Sequence, residues 1–182
     1  MLDTRSLGRR PGSLREERRS FATPERIGLD LIAIPEGADI ELDLQLQAVS
    51  EGVLVTGTVS APVAGECGRC LEPFTDNLRL QLTELFAYPD SLTERTTEED
   101  EVRRLVDDHA DLEPVVVDAV GLALPLQPAC SPDCPGLCSE CGVRLAIAGA
   151  DHRHEILDPR WAGLAKFGES DSGDLEKTEE EK

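Results

Sequence analysis

Six cysteines constrain this chain more than any other feature, because they fall into two groups with the spacing of metal ligands. The stretch Cys130–Gly142 holds four cysteines, two prolines and two glycines. That density of breakers excludes an ordinary helix or strand. The other two cysteines form Cys67-Gly-Arg-Cys70, sixty residues upstream. Loops with short Cys-x2-4-Cys spacings supply zinc ligands in pairs. We therefore predict a structural zinc site with ligands drawn from Cys67, Cys70, Cys130, Cys134, Cys138 and Cys141.

The spacing is compatible with two ways of sharing these ligands. In the first, the four cysteines of the downstream cluster bind one ion and leave Cys67 and Cys70 as a free pair. In the second, which we favour, Cys67 and Cys70 join two cysteines of the cluster and link distant parts of the chain. The second arrangement leaves two cluster cysteines for His152 and His154, whose role the sequence leaves open.

Two other interpretations of Cys67 and Cys70 are a redox pair and inert packing. A thioredoxin-like pair is expected at the start of a helix in a βαβ unit. Here the flanking residues are strand-like and Pro73 follows closely, so metal binding is the better interpretation.

Charge limits the partners. The chain has 182 residues and a formal net charge of −19, which disfavours broad binding to nucleic-acid backbones and favours a basic partner. Residues 1–26 are the exception, since they contain seven arginines against four acidic residues. We predict this segment as a basic arm with a short helix over Ser13–Ser20. The candidate RNA contacts are Arg5, Arg9, Arg10, Arg15, Arg18 and Arg19.

Hydrophobic alternation predicts an antiparallel sheet. The residues from Ile40 to Ala48 alternate strictly with polar ones, and a turn at 50–52 leads into a β-branched strand containing Gly57. Gly57 indicates a bulge or a close backbone approach. The predicted strands lie near 27–33, 40–48, 53–60 and 77–87.

The helices are predicted from caps and prolines. Asp111 and Pro114 open an almost wholly apolar helix near 112–124, which we expect to be buried against the sheet and to end before Pro125. The acidic stretch 94–113 is predicted as a mobile loop with one short helix around 102–106. Residues 143–147 suggest a short strand, and Asp158 with Pro159 suggests a helix to about Phe167.

These elements give an α+β fold: an antiparallel sheet covered by a buried helix, with a zinc-knuckle-like segment near the C-terminus. The expected organisation is a basic arm (1–26), one domain (27–167) that includes the cysteine-rich module at about 128–145, and a disordered acidic tail (168–182). There is neither a secretory signal nor an apolar run of about 20 residues, so we expect a cytoplasmic protein with reduced thiols.

Several motifs taken in order resemble one family, the YceD family, named for accumulation of large-subunit ribosomal RNA. The five motifs are Gly52-Val-Leu-Val-Thr-Gly57, Cys67-Gly-Arg-Cys-Leu-Glu-Pro-Phe74, Leu122-Ala-Leu-Pro-Leu126, Cys134-Pro-Gly-Leu-Cys-Ser-Glu-Cys-Gly142 and Asp158-Pro-Arg-Trp161. The arginine-rich start and the two histidines look most like actinobacterial members. The resemblance implies a non-enzymatic role in the production or maturation of 23S rRNA.

Three function classes follow. The first is a zinc-stabilised factor that binds the large-subunit rRNA precursor, a basic large-subunit ribosomal protein, or both. The second is an enzyme, either a thiol-redox protein or a metal-dependent RNA-processing enzyme. No motif brings carboxylates and histidine to an open metal, so we predict that the chain is not an enzyme. The third is a binding module for another basic partner.

Overall fold

The chain forms a mostly antiparallel sheet with few helices. The computed structural model describes residues 1–89, 91–97, 102–149, 151–154, 160 and 164. Two compact units are present, Met1–Gly136 and Leu137–Lys182, and the sheet belongs to the first. Among the described residues, no helix is long and apolar enough to cross a bilayer.

A long hairpin is the centre of the sheet. Strands β6 (Gly52–Glu66) and β7 (Pro73–Ala87) pair antiparallel along all fifteen residues of each. Strand β5 (Asp39–Ala48) lies along the first half of β6, and β4 (Ile32–Ile34) lies along its end. The hairpin therefore ends in a single loop, residues 67–72, that joins β6 to β7.

The remaining elements surround this hairpin. Strand β2 (Leu14–Ala22) pairs with β5, and β3 (Ile27–Gly28) pairs with β4. Strand β8 (Arg103–Arg104) pairs in parallel with β7, and β1 (Leu2–Asp3) forms a separate two-stranded sheet with β9 (His109–Ala110). Two α-helices, α1 (Leu92–Thr96) and α2 (Glu113–Ala123), and a 3-10 helix at Arg5–Leu7 complete the described part of the first unit.

The alternation that predicted β5 also determines which of its faces joins the core. Ile40, Leu42, Leu44 and Leu46 are buried, while Glu41, Asp43 and Gln45 are exposed. Burial of each aliphatic side chain stabilises the folded state by about 1.5–3 kcal/mol. Facing valines of β6 complete this layer: Val53, Val55, Val59 and Val63.

Helix α2 contributes one face to the same core. Val115, Val116 and Val120 are buried, and the helix ends before Pro125 with Leu124 in an extended conformation, as predicted. Its other face is exposed, and Leu122 is 90% accessible. The prediction was a helix buried against the sheet, and the structure buries one face of α2 while leaving the other exposed.

Gly57 confirms the predicted close backbone approach. Its register between Leu44 and Leu82 is regular, and a Cβ atom there would lie 2.2 Å from the carbonyl oxygen of Asp43. Only glycine fits at position 57, where the paired backbones of β5 and β6 lie this close together.

Two predicted helices are wrong. Residues 14–22 form β2, which pairs with β5 over nine residues, so the segment 1–26 contributes an edge strand to the sheet. Arg103 and Arg104 form β8 rather than a helical turn, because they pair with the end of β7. In both places cross-strand partners outweigh local helix signals.

The C-terminal expectations fall partly outside the described residues. Instead of a strand over 143–147, the structure has one isolated bridge, Leu137 with Arg144, followed by a turn. The predicted helix from Asp158 to Phe167, apart from Arg160 and Leu164, and the acidic tail from Gly168 lie outside the described part of the chain.

Candidate metal centres

The loop at the end of the β6–β7 hairpin holds Cys67 and Cys70. The backbone N–H of Cys67 donates to the Glu72 carbonyl at 2.9 Å, and the N–H of Leu71 donates to the Cys67 carbonyl at 2.9 Å. Leu71 closes the turn in the left-handed region, with φ of 60°. This compact turn presents two sulfurs on the same side of the hairpin end.

The second pair arrives from the segment after α2. Gly68 N–H donates to the Pro128 carbonyl at 2.8 Å, which holds that segment against the hairpin loop. The Arg69 guanidinium then donates to the carbonyls of Pro132 at 3.1 Å and Cys134 at 3.2 Å. Arg69 was not singled out from sequence. Its only signal is a basic residue inside a Cys-x-x-Cys turn, and its position depends on long-range contacts.

Four sulfurs converge where the two segments meet. Cys67 Sγ lies 3.8 Å from Cys134 Sγ, and Cys70 Sγ lies 3.7 Å from Cys130 Sγ. A tetrahedral ion with Zn–S bonds of about 2.3 Å has sulfur–sulfur edges of about 3.8 Å. Cys67, Cys70 and Cys134 are buried and Cys130 is exposed. The donor set and its spacing fit a closed tetrahedral metal site.

The first group has the composition of one of the two predicted arrangements. Ligand atoms of Cys67, Cys70, Cys130 and Cys134 all lie within 4.8 Å of one another, as in the arrangement that links distant parts of the chain. The structure thus divides the four cysteines of the downstream cluster between two groups. Cys138 and Cys141 belong to a different group.

The surroundings of Cys67 and Cys130 shift the pKa values of their thiols in opposite directions. The pKa of the Cys67 thiol is lowered to about 6, chiefly by a hydrogen bond from the backbone N–H of Cys130. The pKa of Cys130 is raised to about 12, chiefly by its contacts with the side chains of Cys134 and Cys70. A divalent cation among the sulfurs would favour the thiolate form of all four.

The second unit contains the other group. Ligand atoms of Cys138, Cys141, His152 and His154 also lie within 4.8 Å of one another. Cys141 Sγ is 3.6 Å from His152 Nε2, and the Nε2 atoms of the two histidines are 3.0 Å apart. The two histidines, whose role was left open, thus lie beside the two cysteines that the first group does not use.

His109 lies in neither group. Its Nδ1 is 2.8 Å from the carbonyl of Asp107, and the residue is the first of β9. Within the acidic stretch 94–113, residues 98–101 lie outside the described part of the chain.

The six arginines proposed to contact RNA lie around β1 and β2, and three carboxylates form ion pairs with four of them. Four ion pairs join Arg9 to Asp108 (3.4 Å), Arg15 to Glu17 (3.6 Å), Arg18 to Asp43 (3.2 Å) and Arg19 to Glu17 (2.8 Å). Arg5 donates to the carbonyl of Asp107 at 3.4 Å. Arg10 is exposed. The local positive charge is therefore weaker than the sequence of this segment suggests.

An apolar groove is lined by residues of β2 and α2. Its volume is about 660 Å³, and Leu2, Phe21, Ile27, Val116 and Val117 are among its lining residues. Arg19, Glu25 and Glu113 also line it, so both signs of charge are present. The groove offers a concave apolar surface on the sheet-containing unit.

Comparison with known proteins places these features in one family. The model of the family "Large ribosomal RNA subunit accumulation protein YceD" matches residues 55–168, which include all six cysteines and both clustered histidines. Uncharacterized proteins of Mycobacterium tuberculosis and Mycobacterium bovis are each 58% identical over 166 residues, covering 91% of this chain and 80% of theirs. An uncharacterized Mycobacterium leprae protein is 48% identical over 164 residues, covering 90% of this chain and 75% of its own. No solved structure matches the chain.

Proposed function

The chain belongs to the family of large ribosomal RNA subunit accumulation proteins called YceD, and on that premise we propose that it is a non-enzymatic factor for the accumulation of 23S rRNA. The observation that carries this proposal is the family match over residues 55–168. We propose that the protein acts in the cytoplasm, where ribosomal subunits are made and thiols stay reduced.

The proposed role of the first metal group is structural. We assign zinc to Cys67, Cys70, Cys130 and Cys134, since four thiolates in a tetrahedron suit this borderline-soft ion. Four protein ligands fill its coordination and leave no position for a substrate or water. The ion would fasten the end of the β6–β7 hairpin to the segment that follows α2.

The proposed partner is a basic large-subunit ribosomal protein, and contact with the rRNA precursor follows through it. A net charge of −19 attracts a strongly basic polypeptide and repels an RNA backbone. The ion pairs of Arg9, Arg15, Arg18 and Arg19 reduce the positive field that direct RNA binding needs.

The apolar groove supports the same partner class. Val117 lines the groove on α2 and is 41% exposed, so an apolar side chain of a bound polypeptide can pack against it. Charge would bring the basic partner to the protein, and burial of such anchors would hold it.

Depletion of the protein in its native cells tests the function. We expect the ratio of large-subunit to small-subunit rRNA to fall, and the wild-type chain to restore it on re-expression. An unchanged rRNA ratio after complete depletion would contradict the proposal.

Recovery of the tagged full-length protein from the same cells tests the partner. We expect a basic large-subunit ribosomal protein to co-purify, to be lost as salt is raised, and to remain after ribonuclease treatment. Val117→Arg should reduce this recovery while Leu92→Arg, which alters an exposed leucine of α1 outside the groove, should not. Recovery of rRNA alone, sensitive to Arg10→Gln, would show direct RNA binding instead.

The enzymatic alternative makes a different prediction. A thiol-redox function needs accessible sulfurs, whereas Cys67 is 0% and Cys70 is 8% exposed. Disulfide exchange by a metal-free preparation, lost in Cys67→Ser, would favour that alternative over the structural assignment.

A further inference from the structure

We propose that Cys138, Cys141, His152 and His154 form a second, independent zinc site, and that this ion supports the fold of the C-terminal unit. The proposal goes beyond the family role, since it concerns metal binding by residues 137–154 and does not depend on any ribosomal partner.

The first argument is a repeated turn. In the hairpin loop, Cys67 N–H donates to the carbonyl five residues on, and the N–H four residues on donates back to the Cys67 carbonyl. At Cys138 the same two bonds recur: Cys138 N–H donates to Val143 at 2.8 Å, and Gly142 N–H donates to Cys138 at 2.9 Å. Two Cys-x-x-Cys segments far apart in sequence therefore have the same backbone conformation.

The details of the turn match as well. The residue after the second cysteine has a left-handed φ in both turns, 60° at Leu71 and 71° at Gly142. In the hairpin loop the Arg69 N–H also donates to the Cys67 sulfur at 3.4 Å. In the hairpin loop this arrangement presents two sulfurs to two others. The equivalent arrangement at Cys138 and Cys141 presents two sulfurs to a pair of imidazoles.

The second argument is the distance between ligand atoms. With Zn–S of about 2.3 Å and Zn–N of about 2.0–2.1 Å, a tetrahedron places sulfur and nitrogen about 3.5 Å apart and two nitrogens about 3.3 Å apart. The structure has Cys141 Sγ 3.6 Å from His152 Nε2, and 3.0 Å between the two Nε2 atoms. All four ligand atoms fall within 4.8 Å of one another. Small adjustments of the two rings complete the site.

The third argument is that the described residues of this unit form no hydrophobic core. Among residues 137–149 and 151–154, no side chain is buried, and none belongs to the hydrophobic core. A segment of this size without a core needs a metal or a disulfide to hold one conformation. The cysteines are free, and binding of a structural metal supplies folding free energy directly.

Exposure distinguishes this site from the four-cysteine group. Cys141 and His154 are exposed, whereas three sulfurs of the first group are buried. A chelator reaches exposed ligands sooner, so the second ion should be removed faster than the first. Because the two sites lie in separate units, loss of one should leave the other bound.

Metal content of the purified full-length chain tests the proposal. We expect two zinc ions per chain in the wild type and one in the double variant His152→Ala/His154→Ala. The double variant His152→Cys/His154→Cys should retain two, because it offers four thiolates. His109→Ala is the matched control and should also retain two, since His109 lies outside both groups.

Cobalt substitution identifies the ligands independently. The wild-type chain would carry six cobalt–sulfur bonds, four in one site and two in the other, so the alanine double variant should lose about a third of the thiolate-to-cobalt absorbance. Cys67→Ser should leave a spectrum of the two-thiolate type, which checks independence. The thermal midpoint of the sheet-containing unit should not change in the histidine variants, which checks that they fold.

Two results would overturn the inference. One is two tightly bound ions in the alanine double variant. The other is a wild-type chain with a single ion that Cys67→Ser removes and the histidine variants do not affect. A single wild-type ion that the histidine variants remove would support this second site while refuting the four-cysteine assignment.

Discussion

Replacing Cys67 by serine tests how much the first metal group contributes to the sheet-containing unit. Cys67 is 0% exposed, lies at the end of the β6–β7 hairpin and is 3.8 Å from Cys134. Serine removes one of four thiolates and is a much weaker zinc ligand. We expect the variant to lose the ion that links the hairpin end to the segment after α2.

The size of the effect follows from the loop that the ion closes. Cys70 and Cys130 are separated by 60 residues. A cross-link that closes a loop of that length lowers the entropy of the unfolded chain enough to stabilise the fold by about 4 kcal/mol. For a unit of 136 residues, this corresponds to a fall in thermal midpoint of roughly 10–20 °C. The buried serine hydroxyl adds about 1–3 kcal/mol without involving the metal.

Calorimetry with and without chelator separates these two contributions. A strong chelator should lower the midpoint of the wild type by the cross-link contribution and leave that of Cys67→Ser almost unchanged. The matched control, Cys138→Ser, should lose one ion yet keep the midpoint of the sheet-containing unit, because Cys138 lies in the other unit. If the chelator lowers the midpoints of wild type and Cys67→Ser equally, the assignment of Cys67 as a ligand fails.

Three further predictions concern the sheet-containing unit. Gly57→Ala should lower the free energy of unfolding by at least about 2 kcal/mol, since the added Cβ atom would lie 2.2 Å from the Asp43 carbonyl oxygen. Gly121→Ala, in α2 with open space around it, should raise the free energy of unfolding by about 0.5–1 kcal/mol. Urea unfolding measures both. Tyr88→Phe should raise stability by about 1 kcal/mol, because the buried Tyr88 hydroxyl has no hydrogen-bond partner among the residues that the structure describes. An equal loss of stability would show that the hydroxyl is satisfied. Burial raises the pKa of Glu84, so the folded state is penalised as pH rises through that pKa. Glu84→Gln should therefore have a higher thermal midpoint than the wild type at pH 7, and a smaller advantage at about pH 4; an advantage that grows at low pH would refute the sign.

The sheet was predictable where one face of a strand is wet. Strict alternation from Ile40 to Ala48 gave β5, and the turn before Gly52 gave its hairpin with β6. The bounds of α2 followed from prolines at its ends. These signals are local, so they are visible in a short window of sequence.

The edge strand and the sharing of ligands depend on distant partners. Residues 14–22 carry charges on both faces, and only their pairing with β5 makes them a strand. In the same way, the local sequences around Cys130 and Cys138 are similar, so they do not show which group each cysteine joins. The contacts of Gly68 and Arg69 with the segment after α2, made across about sixty residues, join Cys130 and Cys134 to the hairpin loop. No spacing rule contains that information.

The hairpin loop also sets an order of events during synthesis. Cys67 and Cys70 leave the ribosome first, and sixty residues must follow before Cys130 appears. At about 5–20 residues per second, this interval lasts roughly 3–12 s, far longer than the microseconds in which a hairpin forms. Once Ala87 has also left the ribosome the hairpin can pair, and the nascent chain then presents a two-cysteine turn on a paired but unfastened hairpin until Cys130 follows. With zinc bound as proposed, supply of the ion and arrival of the second pair, rather than formation of the sheet, would limit when the unit becomes resistant to unfolding.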